Sequence, residues 1–411
     1  MKRLLYISHC LPYPPDKGER VRAFHEIQAL SSHFRITLAA LERGHVDQPA
    51  VQALRQWCEE VIVAPAGGAS GLARGAVSLF GGGSVTEGYF KSRRLLAAVR
   101  EAAAREPFDI ALGYSSSTLP YLLNVPAGAR IMDLVDVDSA KWGAYAASSS
   151  WPRSCLYRAE ARAVRRLEER AVSVCDAVLL TSPAEVHALS LQSKKVIPVS
   201  NGVDSEYFRP AERAAGAPQS LVFTGQMNYR PNVEGVCWFV RQVWSTLRRG
   251  WPALTFAIVG RNPAPVVRRL AEVPGVSVTG AVPDIRPYLA AATIAVAPLF
   301  IGRGIQNKVL EAMASGLPVV ASPMAVEGLD VQVGADLLQA DTPEKWVERL
   351  GQLLSDEPGR RAMGQAARRI VQDRYIWSAR MAPLTAVCNE LLGLRRTRPI
   401  VAHPRQMPIG T

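Results

Sequence analysis

The 411-residue chain has only six cysteines, and none is placed for chemistry. Cys10, Cys58, Cys155, Cys175, Cys237 and Cys388 are scattered, with no C-x-x-C pair and no metal-ligand spacing to the six histidines. That excludes a zinc ribbon or a thioredoxin-type motif and suits free thiols in a reducing compartment. Long apolar runs are also missing. The most apolar stretch, LAAATIAVAPLFI, is too short to span a bilayer and contains a proline. The amino-terminal MKRLLYISHCLPYPP reads as a first strand, not a signal peptide. A cytoplasmic protein is expected, with any membrane contact peripheral. There is no G-x-G-x-x-G after the first strand, no P-loop lysine, no G-x-S-x-G, no H-E-x-x-H and no repeat of 20–50 residues. Dehydrogenase, NTPase, serine hydrolase and zinc protease readings lose their main supports.

What is present begins with charge. Lysine and arginine number 48 against 36 acidic residues, a net +12, which suits an anionic partner. Nucleic acid has no further support, because no basic–aromatic interleaving and no recognisable module accompanies the charge. Short apolar runs alternate with longer amphipathic ones, the pattern of βα units and parallel sheets. One series runs through 4–8, 35–41, 60–65, 109–114, 130–136 and 176–182. A second runs through 195–200, 220–225, 254–260, 276–280, 293–298 and 317–322. Helices are expected at 19–32 and 91–105, and a mobile Gly/Ser/Ala loop with a short helix at 67–85. The polar, Pro- and Ala-rich segment 201–220 reads as a linker. The expectation is therefore α/β, with doubly wound parallel-sheet domains at 1–203 and 204–375 and a disordered basic tail at 394–411.

The stretch GRGIQNKVLEAMASGLPVVAS (302–322) is a Gly-rich loop, a helix starting near Asn307 or Lys308, a C-cap-type glycine at Gly316, and a strand. A helix start at the carboxyl edge of a parallel sheet favours phosphate. Arg303 and Lys308 add cations, and Glu311 can accept two sugar hydroxyls. The alternative reading makes Lys308–Glu311 an i,i+3 surface pair and Arg303 a solvated loop residue.

LEAMASGLPVVAS resembles the end of the donor-site signature of family-4 glycosyltransferases with the GT-B fold. Other matches follow in the expected order: NGVD with Phe208, VFTGQMNYRPNVEGVCWF (222–239), FAIVGRNP (256–263) and VSVTGAVPDIRPYLAAATIAVAPL (276–299). The resemblance covers nearly all of 1–390 and is nearest to a bacterial exopolysaccharide and exosortase-associated sugar transferase subgroup. It implies a retaining enzyme with two Rossmann-like domains facing a cleft. A nucleotide-diphosphate sugar would bind mainly to the second domain, across 225–232, 282–285 and 303–311, and a glycan or lipid-linked acceptor would face the first. Residues 376–393 would cross back onto the first domain, with hinges near 203 and 375.

By position, Glu311 matches the second glutamate of the family's Glu-x7-Glu pattern, on the donor ribose. The first falls on Arg303, a departure, and Arg303 becomes a candidate phosphate clamp. Ile305, Gln306 and Asn307 match the backbone-donating pyrophosphate loop, with Lys308 beside it. Gly225, Gly260 and Val282 fall at donor-side turns. Gln226 stands where an arginine is common, and Arg230 with Asn232 is the nearest substitute. Gly18 and His25 match the acceptor-side loop and first helix, although His25 also reads as a packed helix-face histidine. Asp136 and Asp138 end a strand near a functional position of the family, and either can equally cap a turn. No cofactor or metal is implied. The basic segment 153–172, with Arg158, Arg162, Arg165 and Arg166, is either membrane-facing or a solvated face with Glu/Arg pairs. An epimerase of the same fold and a non-catalytic nucleotide- or glycan-binding partner are the competing readings.

Overall fold

The computed structural model describes residues 1–396 apart from Lys17, His45, Gln192, 212–217 and Arg303. Strands β1 (Lys2–Ser8), β2 (Phe34–Glu42), β3 (Glu60–Pro65), β4 (Phe108–Tyr114), β5 (Ala127–Val135), β6 (Ala177–Leu180) and β7 (Val196–Pro198) form one parallel sheet, in the order β3-β2-β1-β4-β5-β6-β7. Strands β8 (Ser220–Thr224), β9 (Thr255–Val259), β10 (Val276–Val278), β11 (Ile294–Ala297), β12 (Val319–Ala321) and β13 (Leu338–Gln339) form a second, in the order β10-β9-β8-β11-β12-β13. Every pairing between these strands is parallel. Residues 4–7 of β1 and all of β11 are buried because helices cover both sheet faces, so their sequences are uninterrupted apolar runs.

The strand order reverses between β1 and β4 in the first sheet and between β8 and β11 in the second. Loops leaving the carboxyl ends on either side of such a reversal diverge and open a crevice. That places residues 9–16 and 115–118 of one domain, and 225–229, 298–302 and 304–306 of the other, as crevice walls.

Three expectations are corrected. The run 195–200, grouped with the second series, supplies β7, the edge strand beside β6 of the first sheet. Residues 67–85 are not a loop with a short helix but a 13-residue helix, Gly68–Phe80, packed on a second helix, Val85–Tyr89. The final helix Trp377–Arg396 runs three residues into the segment expected as a tail, the rest of which lies outside the described residues. Trp377, Met381, Leu384 and Cys388 of this helix are buried in the first domain's core. The chain crosses at two adjacent points, where Val203 bridges Ile376 and the Val203 N–H donates to the Tyr375 carbonyl (2.7 Å).

Candidate functional site

On the second domain's side, β11 ends in a loop that turns at Gly304, with φ +62, into the helix Asn307–Ala314. Gln306 holds the N-cap position without a side-chain cap bond, and its carbonyl accepts from the Val309 N–H (2.9 Å), a helix start whose dipole favours an anion. From that first turn Lys308 reaches back across β8. Its Nζ donates to Asn232 Oδ1 (2.7 Å) and lies 5.0 Å from the centre of the Phe223 ring. Asn232 is buried, and its Nδ2 donates to the Gln226 carbonyl (2.9 Å). It therefore ties Lys308 to the turn after β8. Burial pulls the Lys308 ammonium down to about 8, with Glu311 opposing that fall.

Glu311 is half-buried, and its carboxylate has no hydrogen-bond donor among the described residues. Burial raises its pKa to about 7, and Lys308 only partly offsets the rise. The surface-pair alternative is not what forms, since Lys308 is bonded to Asn232 and neither residue is exposed. A desolvated carboxylate without protein donors is suited to accept hydroxyls from a ligand.

The first domain meets this loop directly. Strand β5 ends at Val135, whose φ of +69 is strained for a β-branched residue and turns Asp136 out of the sheet. Thr181 Oγ1 donates to Asp136 Oδ1 (2.6 Å), and a methyl group on Gly304 would overlap that oxygen. Burial, then the Glu185 carboxylate, pushes Asp136 up to about 6. Glu185 bridges the two domains: it accepts from the Val137 N–H (2.6 Å) and from the Gly304 N–H (3.4 Å). Asp138 starts a helix and is ion-paired to Lys141, one turn on.

The remaining expected residues divide clearly. Gly225 and Gly260 hold the β8 and β9 turns in close approach: a methyl on Gly225 would lie 2.7 Å from Asn232 Nδ2, and one on Gly260 would overlap the Gly225 carbonyl. Ile305 is buried in the second domain's core, and Val282 packs on its edge. Asn307 accepts from Asn201 Nδ2 of the crossing segment (3.2 Å). Arg230 is engaged by protein on both sides of the cleft. Its guanidinium bonds Glu234 (2.6 Å) and, across the cleft, Ser148 and Ser149, and it stacks over Tyr145 at 5.0 Å. His25 is stacked on Trp377 at 4.3 Å, and its pKa is lowered to about 4 by burial, so it packs against the crossing helix, the packed helix-face reading of this residue. Gly18 starts the first helix with open space around it. Arg303 lies outside the described residues.

Sequence reasoning passed over Glu185 and His9. Ser182-x-x-Glu185 is a capping-box pattern, and Ser182 Oγ does accept from the Glu185 N–H (3.2 Å), yet the carboxylate points to the other domain. His9 follows β1 at the first sheet's reversal, stacked on Tyr114 at 5.6 Å, with a buried Nδ1 that has no hydrogen-bond partner among the described residues.

Two parallel Rossmann-like domains facing a crevice at both sheet reversals define the GT-B fold. Residues 218–356 match the family described as "Glycosyl transferases group 1". A curated D-inositol 3-phosphate glycosyltransferase of Corynebacterium urealyticum is 27% identical over 273 residues, 58% of this chain and 62% of that protein. The match thus spans less than two thirds of that relative. Among solved structures, sucrose-phosphate synthase from Thermosynechococcus elongatus superposes with TM-score 0.70 at 16% identity, covering 96% of this chain and all of that one. Anabaena HepE, solved with UDP and glucose, superposes with TM-score 0.62 at 14% identity over 95% of this chain and all of that one.

Proposed function

We propose that the protein is a glycosyltransferase that moves a sugar from a nucleotide-diphosphate donor to a glycan or lipid-linked acceptor. The observation that carries this is the facing pair: Lys308 and Glu311 at an uncapped helix start, and Asp136 against the same loop from the other domain. The group 1 match over the second domain supports the reaction class, and the UDP and glucose held by the Anabaena relative support the donor class. The helix start and Lys308 stabilise the departing diphosphate, Glu311 accepts the ribose hydroxyls, and Asp136 faces the transferred sugar. We place the enzyme among retaining, family-4-like hexosyltransferases of exopolysaccharide biosynthesis, working without metal at the cytoplasmic membrane face. Transfer and hydrolysis of a nucleotide-sugar panel, with Glu311→Ala as control and with chelator added, test it. Product formed from donor alone without hydrolysis favours an epimerase, and binding without turnover of any donor sinks the enzyme reading.

A further inference from the structure

The helix Gly68–Phe80 is built inside out. Two of its three glycines face inward: a methyl on Gly75 would lie 2.9 Å from Val85, and one on Gly71 would lie 3.2 Å from Tyr89. That close approach to the helix Val85–Tyr89 leaves the larger side chains outside. Ala69, Leu72, Ala73, Ala76, Val77 and Phe80 follow helical spacing and are all exposed; Leu72, Val77 and Phe80 are 63%, 72% and 93% accessible. A continuous apolar stripe of this kind on a soluble face marks a contact surface.

The neighbouring helix Arg153–Val174 identifies the partner. Arg158, Arg162 and Arg166 stand at i+4 spacing on its exposed side, and none has a carboxylate partner among the described residues. Of the three glutamates on this helix, Glu169 is exposed but paired with Arg165 (2.9 Å), and the other two are turned inward. Glu160 caps the Val85–Tyr89 helix through the Val85 and Thr86 N–H groups, and Glu168 binds Ser139. Arg166 donates to the Gly82 carbonyl (2.5 Å), and Arg162 and Arg166 line a cavity with Leu79 and Gly83, so the arginine row meets the end of the apolar stripe. Trp151, 80% accessible, and Leu156 extend the apolar character at the start of this helix.

We infer that this face, the apolar stripe of 68–80 with the arginine row of 153–174, is where the protein lies on an anionic bilayer. Apolar side chains enter the headgroup boundary while arginines meet lipid phosphates, a match that a second copy carrying the same arginines lacks. The inference locates the membrane contact of the proposed function but does not need transfer to be true. Vesicle binding without transfer leaves it standing, and transfer without vesicle binding sinks it alone.

The test is flotation of the full chain with vesicles containing phosphatidylglycerol or only phosphatidylcholine. Wild type is expected to float with the anionic vesicles and to be released by salt. V77Q/F80Q should weaken partitioning roughly tenfold or more, and R158Q/R162Q about fivefold per charge. Because all four side chains are exposed, the thermal melts should match wild type. No binding of wild type, or unchanged binding of V77Q/F80Q, overturns the proposal. So does a concentration-dependent dimer that V77Q/F80Q abolishes, which would give the face to a second copy.

Discussion

Replacing Lys308 by methionine removes the ammonium but keeps a chain of similar reach. In the folded protein Lys308 titrates at about 8 instead of the ordinary 10.5. That gap corresponds to about 3 kcal/mol against holding the charge, and residual contact with water reduces it to ~1–2 kcal/mol. The sign follows from proton counting. Below pH 8 both folded and unfolded chains carry the proton, and the folded state bears the whole cost. Between about 8 and 10.5 only the unfolded chain keeps it, so stability rises with pH there. The methionine variant removes that cost but leaves Asn232 Oδ1 buried without its donor, a loss of ~1–3 kcal/mol. The two nearly cancel, so urea unfolding at neutral pH should move by about 1 kcal/mol or less, and the alkaline rise should vanish. Ligand binding should not be spared. A cation about 4 Å from a phosphate is worth ~4 kcal/mol at a surface-like dielectric. With desolvation subtracted, a loss of ~2–3 kcal/mol, roughly 30–150-fold in Kd, is expected. Calorimetric titration with a panel of nucleoside diphosphates measures it. A Kd within about threefold of wild type would refute the placing of the diphosphate at this helix start.

Three other perturbations follow from the geometry. Asp136→Asn should cut transfer by about 100-fold or more. Because Asp136 titrates near 6 rather than 3.8, its charge costs stability that sets in as pH rises through that window. The variant should therefore gain ~1–2 kcal/mol at pH 8 and little at pH 3 in urea melts. Gly304→Ala places a methyl group against Asp136 and Thr181 at a positive φ. Scattering should show a more open pair of domains and activity should collapse, while the melting temperature falls only modestly, by about 1 kcal/mol equivalent. Arg22→Met leaves Asp133 and Glu26 buried without their partner, because Arg22 Nε lies 2.6 and 2.9 Å from them. Denaturant unfolding should register a loss of ~3–5 kcal/mol.

Most strands were legible because helices cover both sheet faces, and burial on both sides writes an uninterrupted apolar run. The two-residue β13 is too short to leave such a run. Helix 68–80 was misread because its inward face needs glycine for close approach, and glycine in a sequence reads as loop. The resemblance at a strand end pointed to Asp136 and Asp138 alike, whereas the left-handed Val135 that turns the chain before them has no local signature. Arg230 shows only its charge in the sequence, because its acceptors Ser148 and Ser149 lie 82 and 81 residues away on the other domain. Glu185 was hidden by a pattern that explains it locally. Contacts made across the crevice are the part that one-dimensional reasoning does not reach.

The paired crossing of the chain has a consequence for inheritance as well as motion. Residues 203 and 376 lie side by side, and the segments before 203 and after 376 both build the first domain. Topologically, the second domain is a cassette inserted into a continuous host, joined at one seam. A gene rearrangement that exchanges everything between those two codons would swap the second domain whole while leaving the first domain's core intact. The seam carries one condition of its own: a methyl group on Gly202 would lie 2.9 Å from the Trp377 backbone, so the host must keep its glycine on the side where the cassette enters.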